Sequence, residues 1–159
     1  MNMQKHKKFM VRAIELSRDG MENNNGGPFG AVIVRNGEII AEGNNQVTSK
    51  NDPTMHAEIV AIRRACEKLD TFDLSGCILY TSCEPCPMCL GATYWARIDK
   101  MYYANTKEDA AEIGFDDKFI YKELDCKKTE RKLPMIELMH DEAFEVFREW
   151  DKKEDKIEY

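Results

Sequence analysis

The residues best suited to chemistry in this sequence are one histidine, one glutamate and a pair of cysteines. His56 stands two positions before Glu58, and about 27 residues after that glutamate the motif P-C-P-M-C begins, which supplies Cys86 and Cys89. Two thiols with C-x-x-C spacing bind one ion readily, and a nearby imidazole brings the number of ligands to three. Three protein ligands leave one position of a tetrahedral zinc ion open to water. The pattern therefore predicts a catalytic zinc site made by His56, Cys86 and Cys89.

A site of this kind also needs a group that moves protons. Zinc lowers the pKa of a bound water from 15.7 to about 7, so a nucleophile is available at neutral pH. Attack on an amidine-like ring carbon leaves a ring nitrogen and a departing amine that each need a proton, and a carboxyl can carry both. Glu58 is expected to do this, since H-x-E followed by P-C-x-x-C is the signature of zinc deaminases. Because residues i and i+2 of a regular helix point about 200° apart, His56 and Glu58 can converge only at a helix end.

The cysteines also allow interpretations without catalysis. Cys83, Cys86 and Cys89 with His56 could close a structural Cys3His zinc site in an interaction module, although Glu58 would then have no role. An iron–sulfur cluster would need a fourth cysteine at position 93, which is a threonine. The other three cysteines are expected to be small core residues, and they are Cys66, Cys77 and Cys126.

The order of predicted elements favours an α/β fold with three layers, helices covering both faces of a mixed sheet. Asn36-Gly37 accepts the positive φ angles of a type I′ turn, so the strands beside it are expected to form a hairpin. Asp52 or Thr54 is expected to cap the second helix, and Pro134 places the last strand near a sheet edge. Apolar spacing predicts helices over 5–18, from the cap to about 70, over 87–96 and over 143–150, and strands over 31–34, 38–41, 77–81, 101–104 and 133–139.

The composition is that of an ordinary globular protein. The chain has 159 residues, of which 43% are hydrophobic, with 23 Lys and Arg against 29 Asp and Glu. The net charge of -6 argues against binding to phosphate backbones, which requires clustered cations. No apolar run approaches the roughly 18 residues of a membrane span, and the charged N-terminus is unlike a signal peptide. We therefore expect a single cytoplasmic domain over 1–159 with reduced cysteines, and neither a membrane nor a nucleic acid as partner.

Longer segments resemble the cytidine deaminase superfamily, to which the zinc motifs at 56–58 and 83–89 also point. The segments GGPFGAVIV at 26–34, SKNDPTMHAE at 49–58, LYTSCEPCPMCLGA at 79–92 and AAEIGFDDKFIYKE at 110–123 are similar to its bacterial branch that acts on guanine. The resemblance extends over most of the chain. It implies a central five-stranded mixed sheet, one zinc ion per subunit, a homodimer, and hydrolysis of guanine to xanthine and ammonia in purine metabolism.

The same resemblance implies roles for individual residues. His56, Cys86 and Cys89 would bind zinc, and Glu58 would transfer protons. Asn45 and the Ala57 backbone would hydrogen-bond the purine, Phe29 would pack on its ring, and Asp117 and the C-terminal Tyr159 would approach the base. The tail of about 140–159 would arrive from the partner subunit by domain swapping. Since the sequence GFDD contains two acids, Asp116 stays open as an alternative to Asp117.

Three other functions stay open at this point. A deaminase of another base or nucleoside, such as cytosine, adenine or guanosine, would use the same zinc motif. A tRNA adenosine deaminase would also share it, but RNA binding needs a basic surface. The third is the structural zinc module, which differs from an enzyme in having no use for Glu58.

Overall fold

A mixed β-sheet forms the centre of the fold. The computed structural model describes residues 2–159, and within them four strands lie in the order β2-β1-β3-β4. β1 pairs antiparallel with both β2 and β3, whereas β3 and β4 are parallel. The strands are β1 (Gly30–Arg35), β2 (Glu38–Asn44), β3 (Cys77–Cys83) and β4 (Lys100–Asn105). The predicted hairpin is confirmed, and its turn residues Asn36 and Gly37 have φ angles of 54° and 82°.

Seven α-helices are present in the described part of the chain. Two long ones, α1 and α3, pack on the sheet, and α4 contacts α3. The helices are α1 (Met3–Glu22), α2 (Val47–Lys50), α3 (Ala57–Leu69), α4 (Pro87–Trp95), α5 (Lys107–Glu112), α6 (Lys118–Asp125) and α7 (His140–Lys152), with a 3-10 turn at Lys128–Glu130.

The two faces of the sheet pack against different helices, because side chains alternate along each strand. On one face, Ile33 and Leu79 join the alanines of α3, including Ala61, in one core cluster. On the other face, Val32 and Tyr80 pack with Phe9 of α1 in a second cluster. This is the predicted three-layer arrangement, and the α/β class is confirmed.

Small residues allow α3 to lie very close to β2. A β-carbon built on Gly43 would lie 2.4 Å from the carbonyl oxygen of Ala57 and 2.8 Å from the amide nitrogen of Ala61. A side chain at position 43 would therefore push against the helix backbone, which cannot move without disturbing its hydrogen bonds. The first turn of α3 is fixed against the sheet by this contact.

The prediction of a fifth strand over 133–139 is wrong. Within the described residues the sheet has four strands, and residues 133–139 form no regular secondary structure. Pro134 has no backbone N–H and so cannot donate a hydrogen bond to a neighbouring strand. The apolar side chains that suggested the strand, such as Ile136 and Leu138, are 88% and 82% exposed, so the apolar character of this segment is not matched by burial.

The chain divides into two units, one ending at Lys118 and the other comprising Phe119–Tyr159. The second unit contains most of α6, the 3-10 turn and α7. Two of its internal hydrogen bonds join Lys132 N–H to the Glu123 carboxylate at 2.7 Å and the Arg131 guanidinium to the Leu124 carbonyl at 3.4 Å. None of the residues of Phe119–Tyr159 is buried, although many are large and apolar.

Across residues 2–159, no helix has both the length and the apolar character that crossing a membrane requires.

Candidate active site

Two helix N-termini bring the predicted zinc ligands together. His56 is the N-cap residue of α3 and Cys86 is the N-cap residue of α4, both with extended backbone. Pro87 fits the first turn of α4, where its missing N–H costs nothing. Since a helix N-terminus carries a partial positive charge, both positions favour a thiolate and a neutral imidazole over their protonated forms.

The three side chains have the spacing of a tetrahedral metal site. His56 Nδ1 lies 3.6 Å from Cys86 Sγ and 3.5 Å from Cys89 Sγ, and all three ligand atoms lie within 4.8 Å of one another. Zn–S bonds of about 2.3 Å and Zn–N bonds of about 2.05 Å at a tetrahedral angle give an N···S edge of about 3.6 Å. One imidazole and two thiols at this spacing fit zinc.

Cys83 is not a member of this group. The described residues contain one set of His, Cys and acidic side chains close enough to share an ion, and it consists of His56, Cys86 and Cys89. The Cys83 thiol instead donates to the carbonyl oxygen of Thr106 at 3.5 Å, and burial raises its pKa to about 11. The arrangement therefore provides three ligands with one position to spare, not the closed Cys3His set.

The electrostatics of the group favour an anionic sulfur. Hydrogen bonding from Cys89 and from His56 lowers the pKa of Cys86 to about 4, despite partial burial. The same contact with Cys86, together with burial, raises the pKa of Cys89. The His56 pKa is raised because its imidazole hydrogen-bonds to Cys86. Cys86 is thus stabilised as a thiolate by two hydrogen-bond donors, and a metal cation would stabilise the same negative charge.

Glu58 converges with His56 because α3 starts where it does. His56 is the cap, with φ and ψ of -67° and 156°, so it lies outside the helical geometry that would turn it away from Glu58. The predicted caps Asp52 and Thr54 instead bond to each other at 2.7 Å. Glu58 is buried, and its Oε2 lies 3.4 Å from Cys89 Sγ. Burial raises the pKa of this carboxyl.

Several residues expected to contact the base lie around the same helix end. Asn45 is buried, and its side-chain oxygen accepts the Val47 N–H at 3.1 Å, which leaves the amide NH2 as a donor. Its own N–H donates to the Phe29 carbonyl at 3.0 Å. Ala57 is the first residue of α3, so its N–H has no partner within the helix. Phe29 packs on the core cluster that contains Ala57.

The two acids of the GFDD sequence differ in their surroundings. The Asp116 carboxylate accepts the Lys118 N–H at 2.9 Å and is exposed. Asp117 is partly buried, which raises its pKa, and Cys86 acts on it electrostatically. Of the two acids, Asp117 is thus the less exposed one, and its contact with the base stays a prediction. Tyr159 belongs to the second unit and is 72% exposed, and its role stays a prediction.

Sequence reasoning did not single out two residues of this region. The Thr81 hydroxyl donates to Glu58 Oε1 at 3.1 Å. Phe115 packs edge-on against Phe29, with ring centroids 4.9 Å apart and planes at 90°. Phe115 belongs to the GFDD sequence. Thr81 carries no local signal for its role, because its contact with Glu58 depends on the register of β3 in the sheet.

A comparison of the sequence with protein families agrees with the fold and with the grouping of His56, Cys86 and Cys89. The model of the cytidine and deoxycytidylate deaminase zinc-binding region matches residues 3–105. The chain belongs to this deaminase family. The predictions of a cytidine-deaminase-like fold and of a zinc-dependent hydrolase are confirmed with it.

Individual relatives cover the chain to different extents. Guanine deaminase from Bacillus subtilis is 54% identical over 97% of this chain and 99% of its own length. Its X-ray structure superposes with a TM-score of 0.95 at 53% identity, over 100% of this chain and 99% of that one. The guanine deaminase structure from Nitrosomonas europaea gives a TM-score of 0.66 at 39% identity, over 69% and 63% of the two chains. The tRNA-specific adenosine deaminase from Aquifex aeolicus is 48% identical over 48% of this chain and 51% of its own length.

Proposed function

We propose that this protein hydrolyses guanine to xanthine and ammonia. The observation that carries the chemistry is the buried Glu58 carboxyl beside the group of His56, Cys86 and Cys89, with Oε2 at 3.4 Å from Cys89 Sγ. The full-length similarity to a guanine deaminase supports the choice of substrate, since the similarity to a tRNA deaminase covers only half of the chain.

The residues divide the work of the reaction between them. His56, Cys86 and Cys89 would hold zinc, which when bound would lower the pKa of a water enough for attack at neutral pH. Glu58 would take a proton from the attacking water and deliver it to the ring nitrogen beside the attacked carbon. It then carries a second proton from the added hydroxyl to the exocyclic amine, which leaves as ammonia. The raised pKa of the buried carboxyl suits a group that must both take and give protons.

Polar groups around the pocket select the base. Asn45 and the Ala57 N–H donate hydrogen bonds to acceptor atoms of the purine, and Asp117 accepts from its N–H donors. A base without such donors would leave this carboxylate unpaired, and the loss of specificity reaches up to about 10⁴-fold when the carboxylate is fully buried. Phe29 contributes a flat apolar surface for the ring.

The function is tested by ammonia release from zinc-loaded protein on guanine, guanosine, adenine, cytosine and an adenosine-containing tRNA stem-loop. We expect rapid turnover of guanine alone. Turnover of another substrate in its place would keep the zinc chemistry and overturn the assignment of the base. No turnover on any of them, with zinc bound, would support the structural zinc module.

A substitution at Glu58 separates catalysis from metal binding. Glu58→Ala should abolish ammonia release and leave one zinc per chain, because the carboxylate is not a ligand. Glu67→Ala is the matched control, since Glu67 is exposed on the same helix. Unchanged turnover in Glu58→Ala would contradict the role of this carboxyl.

We further propose that the enzyme is a homodimer whose C-terminal segment serves the partner's site. The second unit supports this, since its 41 residues bury none of their own apolar side chains, and Phe147 and Ile157 are 70% and 68% exposed. A second copy of the chain would cover such a surface.

The six cysteines are all free thiols, which suits a reducing compartment such as the cytoplasm.

Mixed dimers test this arrangement. Glu58→Ala lacks the proton carrier but keeps the tail, and a chain without Tyr159 keeps Glu58 but lacks the end of the tail. If the tail crosses to the partner, the co-refolded mixture contains dimers with one intact site and regains activity. If each tail serves its own subunit, both sites of the mixed dimer are defective and mixing restores nothing.

A further inference from the structure

Thr81 is a buried hydroxyl residue on β3, next to the carboxyl that moves protons. Its side chain is 1% exposed, and its Oγ1 donates to Glu58 Oε1 at 3.1 Å. We propose that Thr81 is a positioning residue for the deamination, which holds the Glu58 carboxyl in the orientation that faces the metal ligands. This inference rests on the proposed function, because it concerns the rate of the same reaction.

The hydroxyl is itself held in a fixed place. β3 lies inside the sheet, and Thr81 pairs with Ala31 on β1 and with Tyr103 on β4. A strand that is hydrogen-bonded to a neighbour on each side cannot shift without breaking the backbone hydrogen bonds to both. Because threonine is branched at the β-carbon, its χ1 angle is also restricted. The hydrogen-bond donor is therefore rigid before any substrate arrives.

The Glu58 carboxyl needs such a support because its long side chain has several rotatable bonds. Its two oxygens have different partners, with Thr81 at Oε1 and the Cys89 sulfur at Oε2. The hydrogen bond from Thr81 fixes the position of Oε1 and so limits the directions in which Oε2 can point. Oε1 serves as the anchor, and Oε2, on the side of the metal ligands, is the oxygen that exchanges protons. Proton transfer depends steeply on such alignment.

The test compares three substitutions on the same strand in the full-length zinc enzyme. Thr81→Val keeps the shape and removes the hydroxyl, whereas Thr81→Ser keeps the hydroxyl. Ser82→Ala is the matched control, since Ser82 is also buried, and its hydroxyl accepts the Gly30 N–H at 3.0 Å without contacting Glu58. Thr81→Ala replaces Thr81→Val if the valine variant does not fold.

We expect Thr81→Val to lower kcat for guanine about 10- to 100-fold, with KM changed less than about twofold and one zinc retained per chain. Thr81→Ser should recover kcat to within about threefold of the original. The solvent isotope effect on kcat should rise in Thr81→Val, because proton transfer becomes slower in every molecule. A smaller fraction of folded enzyme would lower kcat without changing this isotope effect.

Three results would overturn the inference. The first is an unchanged kcat in Thr81→Val. The second is a loss of equal size in Ser82→Ala, which would indicate a general effect on the sheet. The third is a lowered kcat with an unchanged isotope effect. If the unsubstituted protein does not turn over guanine, the proposed function fails instead, and the comparison is made on the base that is turned over.

Discussion

Gly26 lies directly against the side chain of Asn45. A β-carbon built on Gly26 would be 2.1 Å from Asn45 Oδ1 and 2.9 Å from its carbonyl oxygen. Neither atom can move easily, because Oδ1 accepts a hydrogen bond from the Val47 N–H and the Asn45 N–H donates to the Phe29 carbonyl. The Asn45 amide is thus held in place partly by the absence of a side chain at position 26.

The first prediction concerns this contact. Gly26→Ala should displace the Asn45 amide and raise KM for guanine about 10-fold or more, because a donor to the base is lost. Steady-state kinetics and zinc content measure the effect. Gly91→Ala is the control, since a β-carbon there would meet nothing within 4 Å, and alanine favours the helix. An unchanged KM in Gly26→Ala would argue against Asn45 as a contact of the base.

The second prediction concerns the edge-on contact between Phe115 and Phe29. Phe115→Ala should raise KM for guanine about three- to tenfold, because Phe29 loses the neighbour that fixes its ring. Phe72→Ala is a matched control. Phe72 is 48% exposed and Phe115 is 47% exposed. Phe72 packs under the Arg97 guanidinium near the start of β3, whereas Cys86 and Cys89 follow the end of that strand. Equal kinetics in the two variants would contradict the prediction.

The third prediction distinguishes the three-ligand site from the closed one. Cys89→Ala should lose zinc and activity together after dialysis, whereas Cys83→Ala should retain one zinc per chain, because the Cys83 thiol faces Thr106 instead of the metal group. Metal analysis after dialysis measures both. Loss of zinc from Cys83→Ala, with the fold intact, would restore the Cys3His interpretation.

The fourth prediction concerns stability and pH. Arg12 on α1 donates to both carboxylate oxygens of Glu42 on β2, at 2.7 and 2.9 Å, and this lowers the Glu42 pKa below its usual 4.5. The folded state therefore binds this proton less readily than the unfolded state. The pair stabilises the protein above pH of about 4.5, and its contribution is lost as pH falls through the lower folded pKa.

Glu42→Gln should lower the free energy of unfolding by about 0.5–1 kcal/mol at pH 7, a modest value because both side chains are about one-third exposed. The difference from the original protein should shrink as pH falls from about 5 to about 3. Urea titrations at equal zinc loading measure it. Glu38→Gln, an exposed position at the start of the same strand, should show neither effect. A difference that does not depend on pH would show that charge is not the cause.

Much of the fold could be predicted because its long elements have strong periodicity. α1, α3 and the hairpin were predicted from apolar spacing and from Asn36-Gly37. α5 was missed because it has only six residues, although Thr106 and Asp109 form a capping box that the sequence contains. The strand over 133–139 was wrongly predicted because a short apolar run does not show which surface will cover its side chains.

The grouping of His56, Cys86 and Cys89 could be predicted because the spacing of these residues is itself what metal binding requires. The start of α3 after His56 could not be predicted, since Asp52 and Thr54 are equally good capping residues. In the structure these two side chains hydrogen-bond to each other instead of capping the helix. Thr81 and Phe115 were missed because their contacts depend on strand register and on the meeting of two distant loops. Such contacts are properties of the tertiary structure, and no local pattern encodes them.

The close packing of α3 on β2 separates what must stay constant in this protein from what can vary. Gly43 and the alanines of α3 fix the helix end that carries His56 and Glu58, so changes there would disturb the metal centre. Phe29, Asn45 and Asp117 lie outside the regular elements, where substitutions and insertions cost less. Changes in these loops are therefore expected to alter the preference for a base without moving the helix end that carries His56 and Glu58.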